Sequence, residues 1–182
     1  MFDEIIDDVK GSMLKALDSL SKDLQRVRTG RANLTLLDPV KVDYYGTKTP
    51  LNQVAALAVA DARTITIKPW EKPMLSEIER AIINSNLGIT PLNDGEMLRL
   101  PIPPLSNERR QDLCKQVRQR GEDAKVALRG IRRDGNEMVK AEDGTSEDDV
   151  KRALKVIQDH TDAYSKKVDE EVATKEAEVM EV

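Results

Sequence analysis

The chain has one cysteine, one histidine, one tryptophan and one phenylalanine in 182 residues. A single cysteine excludes an intramolecular disulfide and suits a reducing compartment. Cys114 and His160 lie far apart and fit no metal-ligand spacing, so no metal site and no cofactor is expected. Nothing around His160 matches a Ser/His/Asp nucleophile signature, and the phosphate loop G-x-x-x-x-G-K is missing. The first thirty residues carry charges throughout and hold no apolar run fit for a signal peptide or a membrane span. A soluble, cytoplasmic protein without catalytic activity is therefore expected, with no membrane partner. Few aromatics beside 34% charged residues favour helical bundles over a broad aromatic core.

What the chain has in quantity is charge, and it is unevenly placed. The net charge is −4, yet residues 101–140 carry +4 and residues 141–182 carry −7. A basic face can thus coexist with an acidic total. The basic stretch, 107–140, reads as one long helix. At about 100° per residue with Leu113 at zero, Val117, Ala124, Leu128, Ile131 and Met138 fall within about 60° of one line, an apolar seam. Arg118, Lys125, Arg129 and Arg132 cluster between about 100° and 160°, with Arg133 just beyond. Asp123, Asp134 and Glu137 lie on the opposite flank. The basic flank is left largely unpaired within its own helix, with Glu122 the nearest acid. A guanidinium fork binds two phosphate oxygens at once, so an arginine ridge on a rigid rod suits phosphate. The other reading is an ordinary solvated face, or arginines held by acids of a neighbouring helix.

Phe2 to Arg28 reads as a helix with a stripe of Phe2, Ile5 or Ile6, Val9, Met13, Leu17, Leu20, Leu24 and Val27. Asp3, Glu4, Asp7 and Asp8 open it, Arg26 and Arg28 close it, and Thr29-Gly30 stops it. The register then changes to period two. Val40–Tyr44 is a half-buried strand, Gly46-Thr47 a turn, and Lys48–Pro50 a return strand. Val54–Ala60 and Thr64–Ile67 are further strands, and Met74 to Ile82 is a short helix closed by Gly88. Ser76 or the chain just after Pro73 starts that helix. Glu96–Pro101 alternates again. The prolines of Pro101–Leu105 form a rigid, extended connector. After the break at 141–145, Ser146 with Asp149 resembles a capping box. Val150, Leu154, Ile157, Thr161, Tyr164, Val168, Val172 and Val179 follow at near-heptad spacing.

Three long amphipathic helices make a bundle from residues 1–30 and 105–182, and residues 31–104 form an inserted β/α/β lobe. The fold class is α+β. Two short connectors, Thr29, Gly30 and Arg31 on one side and Pro103, Pro104 and Leu105 on the other, make a hinge. Trp70 reads as a lobe-core anchor or a base-stacking side chain. Cys114 reads as a small packing residue and His160 as a partly exposed structural one.

Four motifs in order then match one family. They are R-V-R-T-G-R-A (Arg26–Ala32), V-x-Y-Y-G-T-x-T-P-L (Val42–Leu51), L-P-I-P-P-L-S-x-E-R-R (Leu100–Arg110) and V-A-L-R-G-I-R-R-D (Val126–Asp134). The chain resembles ribosome recycling factor over essentially its whole length. The resemblance implies a three-helix bundle with an inserted lobe, L-shaped, tRNA-sized and hinged. It implies a translation factor of protein biosynthesis that follows termination. With elongation factor G, which hydrolyses GTP, such a factor splits the post-termination ribosome and frees it from mRNA. It implies a monomer that binds the large ribosomal subunit and its rRNA, with no DNA partner. Arg110, Arg129 and Arg132, with Arg133 adjacent, match the family's phosphate-contacting arginines, and Arg28 and Arg31 match its basic elbow. Arg118 and Lys125 extend the ridge.

This sequence departs from that pattern in places. Gly121, Gly130 and Gly135 stud the basic helix, each a cost of about 1 kcal/mol relative to alanine if interior; a bend or marginal stability in isolation is one reading, rescue by the bundle the other. Arg120 falls inside the apolar stripe, where it must snorkel or pair. Two other classes compete. A coiled-coil adaptor would bind partner helices without salt sensitivity, and an enzyme would need clustered acid–base groups in the lobe.

Overall fold

The computed structural model describes residues 2–181. The chain divides into two compact units, Met1–Val27 with Glu108–Val182, and Arg28–Asn107. The divisions fall at Val27/Arg28 and Asn107/Glu108 rather than after residues 30 and 104. Both connectors are tied into the smaller unit. Ala32 N donates to Ala62 O at 2.7 Å and Ile102 N to Arg63 O at 2.7 Å.

The larger unit is built from α1 (Asp3–Gln25), α4 (Asn107–Ala141) and α5 (Glu147–Met180). The predicted stripe of α1 is the buried one: Val9, Met13, Leu17, Leu20 and Leu24 face inward. Its end differs from expectation. Arg26 and Val27 bond back to Asp23 O and Leu24 O, a tightened final turn, so Arg26 and Arg28 lie beyond the helix and Lys22 is its last-turn cation. Ser146 caps α5, accepting from Asp149 N at 3.1 Å. Ala153, Ile157, Thr161, Tyr164, Val168 and Val179 form its buried line.

On α4 the seam is rotated. Its buried residues are Arg110, Leu113, Cys114, Val117, Gly121, Leu128, Gly135 and Val139. That line is centred about 40° further round than the apolar side chains alone suggest. Met138, placed in the seam by periodicity, is 56% exposed. The reason is the glycines. A Cβ at Gly121 would lie 2.5 Å from Val172 Cγ2, and one at Gly135 would lie 2.5 Å from Val9 Cγ2. Two glycines, two heptads apart, let the neighbouring helices approach closely. They do not interrupt α4, which runs unbroken for 35 residues. Gly130 differs: a Cβ there would touch nothing within 4 Å.

Cross-helix partners set the packing directions. Arg120 bonds Asp23 and Gly135 abuts Val9, so α1 and α4 run antiparallel. Arg118 pairs with Glu176 and Lys125 with Asp169, so α4 and α5 are antiparallel too. Arg120 resolves its awkward position by donating to the Asp23 carbonyl at 3.1 Å, at the negative end of α1.

The smaller unit holds two antiparallel sheets. The hairpin of β1 (Lys41–Tyr44) and β2 (Thr47–Pro50) turns at Tyr45-Gly46, one residue earlier than expected. Both turn residues have positive φ, 49° and 86°, the mirror-image turn that matches strand twist. A four-residue helix, α2 (Leu51–Val54), precedes β3 (Ala55–Asp61), where the sequence suggested strand from Val54 onward. The second sheet has the order β3, β4 (Thr64–Pro69), β6 (Leu98–Pro101), β5 (Leu92–Asn93). A 3-10 turn at Lys72–Met74 leads into α3 (Leu75–Asn84), which ends before Gly88 at a Ser85 cap. Ser76 thus lies inside the helix. Ile65 and Ile67 of β4, Leu98 and Leu100 of β6, and Ile78 and Ile82 of α3 share the core. Trp70 is 69% exposed and lies outside the buried core of this unit, so it is not a lobe-core anchor.

Candidate nucleic-acid interface

The ridge residues of α4 divide by their partners. Arg118 Nε donates to Glu176 Oε1 at 2.6 Å, and Arg118 Nη2 donates to Glu176 Oε2 at 3.3 Å. The Glu176 carboxylate pushes the Arg118 pKa up. Lys125 Nζ is paired with Asp169 Oδ1 at 2.5 Å. These two cations are held by acids of α5, as the alternative reading of the ridge anticipated. Which acids they would be does not follow from α4 alone. Antiparallel α4 and α5 bring residues 118 and 176, and 125 and 169, to the same level.

Further along the helix the pattern changes. Arg129 meets Glu122 at 3.1 Å, both more than half exposed. Exposed pairs of this kind contribute about 0–1 kcal/mol and leave the guanidinium available. Arg132 forms no ion pair among the described residues; its Nη1 donates to the neutral Gln158 at 3.2 Å. Arg133 lies 3.9 Å from Asp134 and is mostly exposed. Arg129, Arg132 and Arg133 thus gather three little-neutralised guanidinium groups within about one turn. Gln158, Asp169 and Glu176 are the residues that sequence reasoning missed. A signal existed for the two acids: 118, 125 and 132 step by seven along α4, and 176, 169 and 162 step by seven back along α5.

Arg110 stands apart. It is only 8% exposed, and its buried Nε has no partner. The first turn of α4 does not display it as part of the open ridge. Arg28 and Arg31 lie in the segment after α1 and belong to the smaller unit; Arg31 is exposed and Arg28 half-buried. Gly30 has φ +75°, and a Cβ there would lie 3.5 Å from Leu105 Cγ, so the two connectors run side by side. Cys114 is buried, which pushes its thiol pKa up, as suits a packing residue. His160 is half-buried beside the α5 seam. No described helix is long and apolar enough to cross a membrane.

In the smaller unit Glu71 accepts from two hydroxyls, Tyr44 at 2.7 Å and Tyr45 at 2.9 Å. These bonds hold the Glu71 carboxyl below its usual range and push both tyrosines up. The tyrosine rings meet edge to face, 4.7 Å between centroids.

Known proteins share this arrangement. A family model described as ribosome recycling factor matches residues 20–180. The chain is 52% identical to the ribosome-recycling factor of Myxococcus xanthus, over the whole of both chains. It is 54% identical to that of Citrifermentans bemidjiense, again over the whole of both. A solution structure of the ribosome recycling factor is similar with a TM-score of 0.78 and 34% identity, over 100% of this chain and 98% of that one. A second structure is similar with a TM-score of 0.65 and 41% identity over the whole of both chains. It is of the T. thermophilus ribosome recycling factor and the E. coli elongation factor G bound to the E. coli post-termination complex. With its long helices, its small sheet unit, the family match over residues 20–180 and relatives more than half identical along the full length, this chain belongs to the ribosome recycling factor family.

Proposed function

We propose that this chain recycles post-termination ribosomes by docking through the Arg129–Arg133 stretch of α4 on rRNA of the large subunit, with elongation factor G as its motor. The role in recycling follows from the family. The docking face is our reading, and one observation carries it: three guanidinium groups within about one turn of a rigid helix, held by no strong ion pair. Such a face binds phosphate by charge, so affinity falls steeply with salt. Arg118 and Lys125 contribute less, because phosphate must displace Glu176 and Asp169. Arg28 and Arg31 add contacts from the connector. Arg110 supports the first turn of α4 from within and takes part only if that turn opens.

The mechanism is mechanical, and the chain itself carries out no chemical step. A continuous helix of 35 residues spans about 50 Å and transmits force without buckling. The lobe offers the surface for elongation factor G and turns about Thr29, Gly30, Arg31, Pro103, Pro104 and Leu105. The chain acts as a monomer in the cytoplasm. Cosedimentation with isolated large ribosomal subunits over a salt series tests the docking face. Arg132→Ala should weaken binding while helical circular dichroism is retained. Binding by the variant equal to the native protein's at moderate salt would refute it.

A further inference from the structure

An arginine that is to meet phosphate faces two requirements. Its fork must be held in one orientation, and its charge must remain unspent. A carboxylate partner meets the first requirement and defeats the second. A neutral acceptor meets both.

The three rungs between α4 and α5 show this contrast. At the first, Arg118 meets the carboxylate of Glu176, and at the second Lys125 meets that of Asp169. Seven residues on, the third rung pairs Arg132 with the level of Asp162. There the carboxylate is not the partner. Gln158 stands between: its Oε1 accepts from Arg132 Nη1 at 3.2 Å, and its Nε2 donates to Asp162 Oδ1 at 2.8 Å. The two bonds fix which way the amide faces. Turned over, it would set its NH2 against the guanidinium N–H groups and its oxygen against a carboxylate. Asp162 thus orients Gln158, and Gln158 orients Arg132 without neutralising it.

We propose that Gln158 is a positioning residue for the docking face, interposed between Arg132 and Asp162 so that the guanidinium is held in place with its charge available to a phosphate. The inference rests on the proposed docking through Arg132. It follows that the Arg132 rung, unlike the two before it, is open to RNA because its partner is an amide.

The test is a double-mutant cycle on large-subunit cosedimentation across a salt series, using the full chain. The four proteins are native, Gln158→Glu, Arg132→Ala and the double variant. Glutamate has the shape of glutamine and sits on a half-buried helix position, so the fold is kept, and helical circular dichroism verifies it. The carboxylate should claim Arg132. Gln158→Glu should then weaken binding towards the level of Arg132→Ala and flatten the slope of log K against log salt by roughly 0.7–0.9, one phosphate contact. In the Arg132→Ala background the same change should have almost no effect. If Gln158→Glu binds like the native protein while Arg132→Ala is weakened, the role of Gln158 is refuted and the docking face stands. If Gln158→Glu weakens both backgrounds equally, added charge at a distance explains the loss and the positioning role is again refuted. If Arg132→Ala binds as the native protein does, the docking face itself fails and this inference fails with it.

Discussion

Replacing Gly121 by alanine sets two opposing effects on one residue. In a helix interior alanine is favoured over glycine by about 1 kcal/mol. Against this, the new Cβ would lie 2.5 Å from Val172 Cγ2 and 3.8 Å from Val168 Cγ1. No carbon pair tolerates the first distance, so Val172 must move. It is β-branched and sits on α5, where one χ1 rotamer dominates, so it yields poorly. Overpacking of this kind costs about 1–3 kcal/mol. Gly121→Ala should therefore lower stability by about 0–2 kcal/mol, and Gly135→Ala, which meets Val9 Cγ2 at the same distance, should do likewise. Gly130 lies on the same helix with nothing near its Cβ position, so Gly130→Ala should raise stability by up to about 1 kcal/mol. Thermal unfolding followed by helical circular dichroism reads the difference, at about 2–4 °C per kcal/mol for a chain of this size. Truncating Val172 to alanine should reverse the sign of the Gly121→Ala effect. If Gly121→Ala stabilises the native chain as much as Gly130→Ala does, the close approach of α4 and α5 is not real.

Two further perturbations probe other parts of the fold. Arg120→Ala removes the donor to the Asp23 carbonyl and should cost about 1–2 kcal/mol in urea unfolding; a loss no larger than that of an exposed arginine would show the bond is idle. In the smaller unit, the bonds from Tyr44 and Tyr45 depress the Glu71 pKa, so their stabilisation is present above the ordinary carboxyl value of 4.5 and is lost as pH falls through the lowered one. The same bonds raise both tyrosines, so that contribution is present below the ordinary 10.0 and is lost as pH rises through the raised values. Glu71→Ala should bring two tyrosines back towards 10.0 in an ultraviolet titration, and an unchanged titration curve would contradict the geometry.

Much of this fold is legible in the sequence, and the errors have physical causes. Period-four and period-three spacing located the buried stripe of α1 residue by residue, because every seam position there is a large apolar side chain. On α4 the same reasoning put Met138 in the core and treated Gly121 and Gly135 as flaws. Hydrophobic periodicity cannot weigh a position whose contribution is the absence of a side chain. Trp70 differs for a related reason: size suggests burial, but the lobe core closes with aliphatic side chains and Met74 and takes in no tryptophan. The arginine ridge was visible as a one-sided cluster. Its division was not, since it depends on which α5 residue stands at each level, and that follows from an antiparallel register fixed by packing. Gln158 had no mark in the sequence until Arg132 and Asp162 were seen on either side of it.

The most direct measurement is the salt dependence of binding to isolated large ribosomal subunits, with native protein, Arg118→Ala and Arg132→Ala compared side by side. The account predicts that Arg132→Ala loses affinity and flattens the salt slope by roughly 0.7–0.9, one phosphate contact. It predicts that Arg118→Ala changes the slope little, because Glu176 already holds that guanidinium. Equal losses from both variants, or a native slope retained by Arg132→Ala, would contradict it.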